Sequence, residues 1–401
     1  MTSGRPGTLA ESATHPLGTA HVPDSVELEI SPPGSADAAI PICRPDLPPL
    51  TELTALLEGV WDTRMLSNFG PLSRTLEREA AEVLGVERVL ALASGDTALM
   101  ATLAALDLEE GAPAFVSPFT FNSTINVALW NRLRPVFVDI DPATLNMDPH
   151  ALASAMSGWD RPGVVLATHV FGAPCDTEGL AELAGLGGHR LVFDAAHALG
   201  SSRGGRPVGG FGDAEIFSLS GTKLVTSGEG GLVATDDGDL ADRIELVRGY
   251  GFKGDYRSRR VGLNGKMSEL HAALGVLSLR RLPELVARRL EIVAAYQENL
   301  GDMVGWQSVA PGDVSTYKDL VLELGFRREA VQTALGSAGI QTKRYFVPLH
   351  TMEAYSGFRS GPLPEVESVH ERTLCVPIYS DLERSQVDLI CEIIVGALQT
   401  A

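Results

Sequence analysis

From about Pro41 onward, short apolar runs alternate with stretches whose apolar positions recur every three to four residues. Seven runs read as buried strands: 88–93, 114–117, 135–140, 164–169, 191–194, 215–219 and 231–235. The helical periodicity of 97–106, 122–131 and 177–186 predicts helices between them. Strands that alternate with helices predict an α/β fold, a mostly parallel seven-stranded sheet covered on both faces, with ligands gathered at the carboxyl ends of the strands. A long helical stretch, 268–300, is interrupted by Pro283, which ends one helix and starts another. The expected organisation is a disordered or loosely attached tail at 1–38, rich in Gly, Pro, Ser, Thr and Ala, a large α/β domain at 39–282, and a smaller α+β domain at 283–401.

Composition narrows the function. Fifty-one acids against thirty-two bases in 401 residues leave a net charge of −19, which argues against a surface made to hold nucleic acid or an anionic membrane. An anionic ligand must therefore meet a local basic pocket. Cys43, Cys175, Cys375 and Cys391 are widely spaced and form no CxxC pair, so neither a disulfide framework nor a structural zinc site is indicated and a reducing cytoplasm fits. With no run of about 18 apolar residues, and no basic segment followed by an apolar one of about 7–15 residues near residue 1, neither a spanning helix nor a secretory signal is expected. Only five bases are lysine, at 223, 253, 266, 318 and 343, so a retained lysine draws notice wherever a primary amine can do what a guanidinium cannot.

Three familiar patterns fail on context. The GxSxG spacing around Ser202 is followed by a Gly/Pro-rich loop instead of a helix, so it is no nucleophile elbow. Asp139 and Asp141 alternate along a strand, which points them to opposite faces, so a strand end with an Asp-Pro turn is expected and no metal site. Gly265-Lys266 lacks the upstream glycine and following hydroxyl of a phosphate-binding P-loop.

The remaining signals cluster at predicted strand ends. Asp194 closes an apolar strand and, taken alone, reads as a helix N-cap. Lys223 follows another strand through a turn of small and hydroxylated residues that includes Ser218. Gly95, Asp96 and Thr97 open a helix after a strand, where backbone N–H groups can receive a phosphate. Phe121 offers a stacking face, with core packing the equal alternative. Together these residues ask for a planar, phosphorylated nitrogen heterocycle bearing an aldehyde: phosphate on 95–97 and Ser218, ring on Phe121, ring nitrogen on Asp194, aldehyde on the Lys223 amine. That ligand is pyridoxal 5′-phosphate.

With those residues assembled, the chain resembles the DegT/DnrJ/EryC1/StrS sugar aminotransferases, of the fold-type I class of pyridoxal-phosphate enzymes. Nine ordered blocks carry the likeness, at 67–72, 94–99, 117–124, 135–141, 169–172, 194–197, 217–231, 262–273 and 345–350. The resemblance implies that Lys223 bonds the cofactor aldehyde, Asp194 pairs with the ring nitrogen and His197 lies beside the ring. Phe121 takes the stacking position, and Gly95, Asp96 and Ser218 surround the phosphate. It also implies a homodimer with shared active sites, in which Asn264 and Lys266 reach the partner's cofactor. The family commonly has Gly-Thr where this chain has Gly95-Asp96, so Asp96 is expected to turn away and leave hydroxyl contacts to Thr97 or Ser218.

The implied reaction moves an amino group from glutamate or glutamine to a nucleotide-linked keto-deoxysugar. Arg248, Lys253, Arg257, Arg259 and Arg260 place five bases within thirteen residues, and Lys343-Arg344 form a second cluster. Either cluster could meet a diphosphate, with a solvated basic loop as the alternative. Tyr345 and His350, in the last block, join them as substrate-site candidates. Alternative functions are amination of a keto-cyclitol and a non-catalytic, cofactor-binding regulator. Lys223 argues against the family's dehydratase branch, where histidine replaces it.

Overall fold

In the computed structural model, which describes residues 40–358 and 361–400, the seven expected apolar runs all pair into one sheet. The strands are β1 (Arg88–Leu92), β2 (Pro113–Val116), β3 (Arg134–Phe137), β4 (Val164–Thr168), β5 (Arg190–Asp194), β6 (Ala214–Ser218) and β7 (Gly231–Thr235). Their order across the sheet is β1-β7-β6-β5-β4-β2-β3. Strand β7 runs antiparallel to both neighbours, and the other paired strands are parallel. Helices cover both faces, so strands such as β4 are buried throughout, which is why they read as unbroken apolar runs. The expected tail at 1–38 lies outside the described residues.

Polar residues set the element ends. Ser94 caps the helix Gly95–Ala105 by accepting from the Thr97 N–H at 3.1 Å, while the Thr97 hydroxyl takes the Ser94 N–H at 2.8 Å. Pro283 sits in the first turn of the helix Leu282–Leu300, directly after the helix Glu269–Arg280, as its missing N–H favours. Two local expectations resolve at the strand ends. The ladder of β3 stops at Phe137, and Asp139 accepts 3.0 Å hydrogen bonds from the N–H groups of Glu365 and Val366, capping the helix Pro364–Arg372. Asp141 accepts from the N–H groups of Ala143 and Thr144, both at 2.8 Å, so the two carboxylates serve separate turns. Ser202 lies on a two-residue β-ribbon opposite Pro207, which excludes the elbow geometry. Asp194 caps no helix: its Oδ1 accepts from the Ala196 N–H at 3.1 Å in a turn.

The C-terminal part carries a second, antiparallel sheet of β8 (Gly305–Trp306), β9 (Leu320–Glu323) and β10 (Thr373–Val376), with β9 central. Its core includes the helices Leu282–Leu300 and Arg384–Thr400, and the Tyr296 hydroxyl donates to the Pro377 carbonyl at 2.9 Å. Among the described residues, no helix is long and apolar enough to cross a membrane.

Candidate active site

The carboxyl ends of β1, β4, β5 and β6 open on one cavity of about 260 Å³, closed on its other side by residues just before β9 and at 345–346. Register places Thr168 beside Asp194, so β4 and β5 present their last side chains together. The Thr124 hydroxyl donates to Asp194 Oδ2 at 2.8 Å, and Thr120 links Thr124 (3.1 Å) to Thr168 (2.9 Å). Burial raises the Asp194 carboxyl above its ordinary value, with the Thr124 and Ala196 hydrogen bonds and the Lys223 charge pulling the other way.

Lys223 enters from the turn after β6, where its N–H donates to the Ser220 carbonyl at 3.0 Å. Its Nζ makes no hydrogen bond or ion pair among the described residues. Burial, then repulsion by Lys318, lowers its amine to about 8 against the carboxylates of Asp319, Asp194 and Asp96. His197 stacks nearly parallel to Phe346 (6.1 Å, 12°) and to Phe171 (6.3 Å, 6°). Burial, then the charges of Lys223 and Lys318, hold it well below the usual histidine value, so its ring is neutral. Its Nδ1 is buried without a partner.

The opposite end suits a phosphate. Gly95 begins a helix, and a Cβ built there would come 3.1 Å from Ser218 Cβ, so only a glycine keeps that floor open without a shift. Gly231 is placed more tightly still, since a Cβ there would overlap the Ser94 carbonyl oxygen. Ser218, Ser220 and Thr222 add hydroxyls to the wall. Asp96 remains on this wall and is turned toward Ser123, whose hydroxyl donates to it at 2.6 Å. Thr97 lies off the cavity with its hydroxyl engaged in the helix cap, which leaves Ser218 as the expected hydroxyl of the two. Phe121 lines the cavity and is 59% exposed, free to offer its face. An unpaired amine, a buried carboxylate, an orphaned ring nitrogen and a helix N-terminus with hydroxyls thus fit a phosphorylated pyridine aldehyde.

The remaining predicted residues divide. Lys266 bridges to Leu92 of β1, with its Nζ 4.2 Å from the Tyr250 ring centre, Asn264 bridges to Gly249, and neither lines this chain's own cavity. Arg248 is corrected: it is fully buried, with Nη1 on Glu77 (2.5 Å) and the Ala91 carbonyl (2.8 Å) and its guanidinium over Phe69, so it cannot meet a substrate. Of its neighbours, Lys253 faces Glu245 at 3.7 Å, Arg259 pairs with Asp255 at 2.7 Å and Arg260 with Asp107 at 2.6 Å. Arg257 is exposed and makes no ion pair among the described residues. Tyr345 lines the cavity, and Lys343 Nζ donates to its hydroxyl at 2.9 Å. Arg344 turns to Glu371 at 3.5 Å. His350 is also corrected: it is buried off the cavity, bonded to Glu367 at 3.1 Å and edge-on to Phe137. Sequence reasoning missed Thr120, Thr124 and Thr168, the aromatic stack through Phe346, and a buried pair, Lys318 and Asp319, on the cavity wall.

Known proteins are similar to this chain in sequence and fold. The DegT/DnrJ/EryC1/StrS aminotransferase family profile matches residues 51–395. A dTDP-4-amino-4,6-dideoxy-D-glucose transaminase of Escherichia coli is 30% identical over 90% of this chain and 100% of its own length. A GDP-perosamine synthase of Caulobacter vibrioides is 29% identical over 86% and 97%. A crystal structure of DesI in the presence of its TDP-sugar product is 34% identical, with a TM-score of 0.85 over 92% of this chain and 95% of that one. A match that spans nearly the whole folded chain, joined to a cavity with the polar groups that the cofactor needs, settles the assignment: this chain belongs to the DegT/DnrJ/EryC1/StrS aminotransferase family and is an aminotransferase that works with pyridoxal 5′-phosphate.

Proposed function

We propose that the enzyme transfers an amino group from glutamate or glutamine to the ketone carbon of a nucleotide-linked deoxysugar. The observation that carries this reading is the unpaired amine of Lys223 facing Asp194 across one cavity, in a chain whose relatives bear the names of dTDP- and GDP-sugar enzymes. Bound, the cofactor supplies the aldehyde that takes up the donor nitrogen and the electron-poor ring that stabilises charge at the donor α-carbon. The Asp194 carboxylate, oriented by Thr124 and the Ala196 N–H, holds the proton on the ring nitrogen. His197, neutral and stacked on Phe346, fixes the ring from its side. Gly95, Asp96 and Ser218 hold the phosphate through backbone N–H groups and the serine hydroxyl. Lys223, as a free amine of lowered pKa, would move the proton between the donor α-carbon and the carbon of the cofactor's aldehyde group, a transfer typically worth about 10²–10⁴-fold. Arginine cannot replace it, because a guanidinium does not give up its proton.

In this reading the working form is a homodimer in the cytoplasm. Asn264 and Lys266 complete the partner's phosphate site, and the exposed loop bearing Arg257 and Arg259 reaches the partner's acceptor diphosphate. The four cysteines are free thiols, in keeping with a reducing compartment. Residues 39–282 and 283–401 act as the large and small domains. The test is to aminate the enzyme with glutamate, remove the keto acid, and offer keto-sugar nucleotides against keto-cyclitols. The expected result is that only the sugar nucleotides restore the aldehyde-form absorbance; restoration by the cyclitols alone would refute the acceptor assignment.

A further inference from the structure

The wall facing Lys223 contains two charged residues that no step above uses. Lys318 Nζ lies 3.0 Å from both carboxylate oxygens of Asp319, and the two side chains are only 7% and 5% exposed. Both line the cavity. The Lys318 N–H donates to the Phe171 carbonyl at 2.9 Å, and Asp319 directly precedes the central strand β9, so the pair is anchored to both halves of the fold. Apolar residues of similar volume hold a core as well as or better than a buried ion pair. Packing alone gives no reason for these two.

Their unused bonding capacity does. An ammonium has three N–H donors, of which Asp319 occupies two, and each Asp319 oxygen retains a lone pair. The pair is neutral overall, so it holds no net attraction for the amino donor's carboxylate. The pair thus keeps a donor and an acceptor in reserve, the complement of a hydroxyl, which both gives and accepts, and Lys318 Nζ lies 5.9 Å from the centre of the Tyr345 ring. Tyr345 and Phe346 set an apolar surface next to it, suited to the C–H face of a saturated ring. Of the other cations nearby, Lys343 is engaged with the Tyr345 hydroxyl, and Arg289 lies behind the wall on the carbonyls of Tyr317 and Ile378. The pair also stands close enough for both charges to act on Lys223, where the acceptor's ketone must arrive.

We propose that Lys318 and Asp319 form the specificity-determining contact for the acceptor, binding the ring hydroxyl on the carbon next to the ketone. This rests on the acceptor reading above only in requiring a hydroxylated ring ketone. The test compares acceptors that differ by that one hydroxyl: a dTDP-linked 4-keto-6-deoxyhexose against its 3-deoxy counterpart, and a keto-inositol against its neighbouring deoxy form. Wild-type enzyme should favour the hydroxylated member by at least about tenfold in kcat/KM, since a site built to bond a hydroxyl leaves its own polar groups unpaired without it. Asp319→Asn and Lys318→Met should each bring that ratio to within about threefold, and Lys318→Arg, which keeps the charge, should keep part of it. Partial unfolding or altered Lys223 basicity scales both acceptors alike and cancels in the ratio. Calorimetric binding of the unreactive dTDP-linked 6-deoxyhexose alcohol and its 3-deoxy counterpart gives the same ratio without turnover. A wild-type ratio near one, or a ratio that the variants leave unchanged, overturns the proposal. Turnover of the inositol pair alone would overturn the nucleotide-sugar reading while its own hydroxyl ratio still decides the role of the pair.

Discussion

Lys223 and Lys318 face one cavity, are both largely shielded from water, and are driven in opposite directions. Lys223 has no carboxylate in contact, so burial and the charge of Lys318 lower it to about 8. Lys318 suffers the same burial, yet the Asp319 carboxylate at 3.0 Å outweighs it and raises the amine above its ordinary value. Burial by itself does not decide a lysine's charge; the nearest counter-charge does. The enzyme thereby holds two identical side chains as different reagents, one ready to lose its proton and one fixed as a cation.

Removing Lys223 breaks this contrast most severely. Lys223→Ala should lose about 10⁴-fold in the single-turnover rate with glutamate, because Lys318, held protonated, cannot take over proton transfer. A rate within about tenfold of wild type would show that the two amines are interchangeable. A smaller effect appears in the pH dependence of stability of the cofactor-free enzyme. The folded state releases the Lys223 proton at about 8, whereas an unfolded lysine keeps it to about 10.5, so between those values the unfolded chain binds more protons and stability rises with pH. Thermal denaturation should show wild type gaining on Lys223→Met from about pH 8 to about pH 10; parallel curves would mean that the Lys223 amine is ordinary. Smallest is the change at the exposed bases. The double variant Arg257→Ala, Arg259→Ala should raise the acceptor KM a few-fold, within the range of about 0.2–1 kcal/mol for exposed ion pairs, and leave the donor KM alone. Equal shifts in both constants would remove that loop from the acceptor site.

The same contrast marks what the sequence could reveal. Strands buried on both faces are written as unbroken apolar runs, whether parallel or, like β7, antiparallel, so all seven were legible, and Asp194 and Lys223 stand at or just beyond the ends of two of them. Lysine scarcity drew attention to Lys223, and the same scarcity applies to Lys318, but no pattern along the chain linked residue 318 to the ends of the large sheet's strands, where the rest of the cavity wall begins. Thr124 was visible in a polar block, whereas its bond to Asp194, 70 positions away, depends on the order of the strands. Arg248 misled for the converse reason. Arg248 counts as a free charge along the chain, yet its partner Glu77 lies 171 positions earlier. His350 is likewise consumed by Glu367, a partner that only the packing of the helix Pro364–Arg372 brings near.

Asp139, at the margin of the large sheet, grips two N–H groups of that same helix in the C-terminal part. Swinging the C-terminal part away would exchange these bonds for bonds to water, and a hydrogen bond to a charged group is worth about 1.5–3 kcal/mol net. Asp139 therefore acts as a clasp, holding the helix Pro364–Arg372, and with it the contact between Glu367 and His350, against the end of β3.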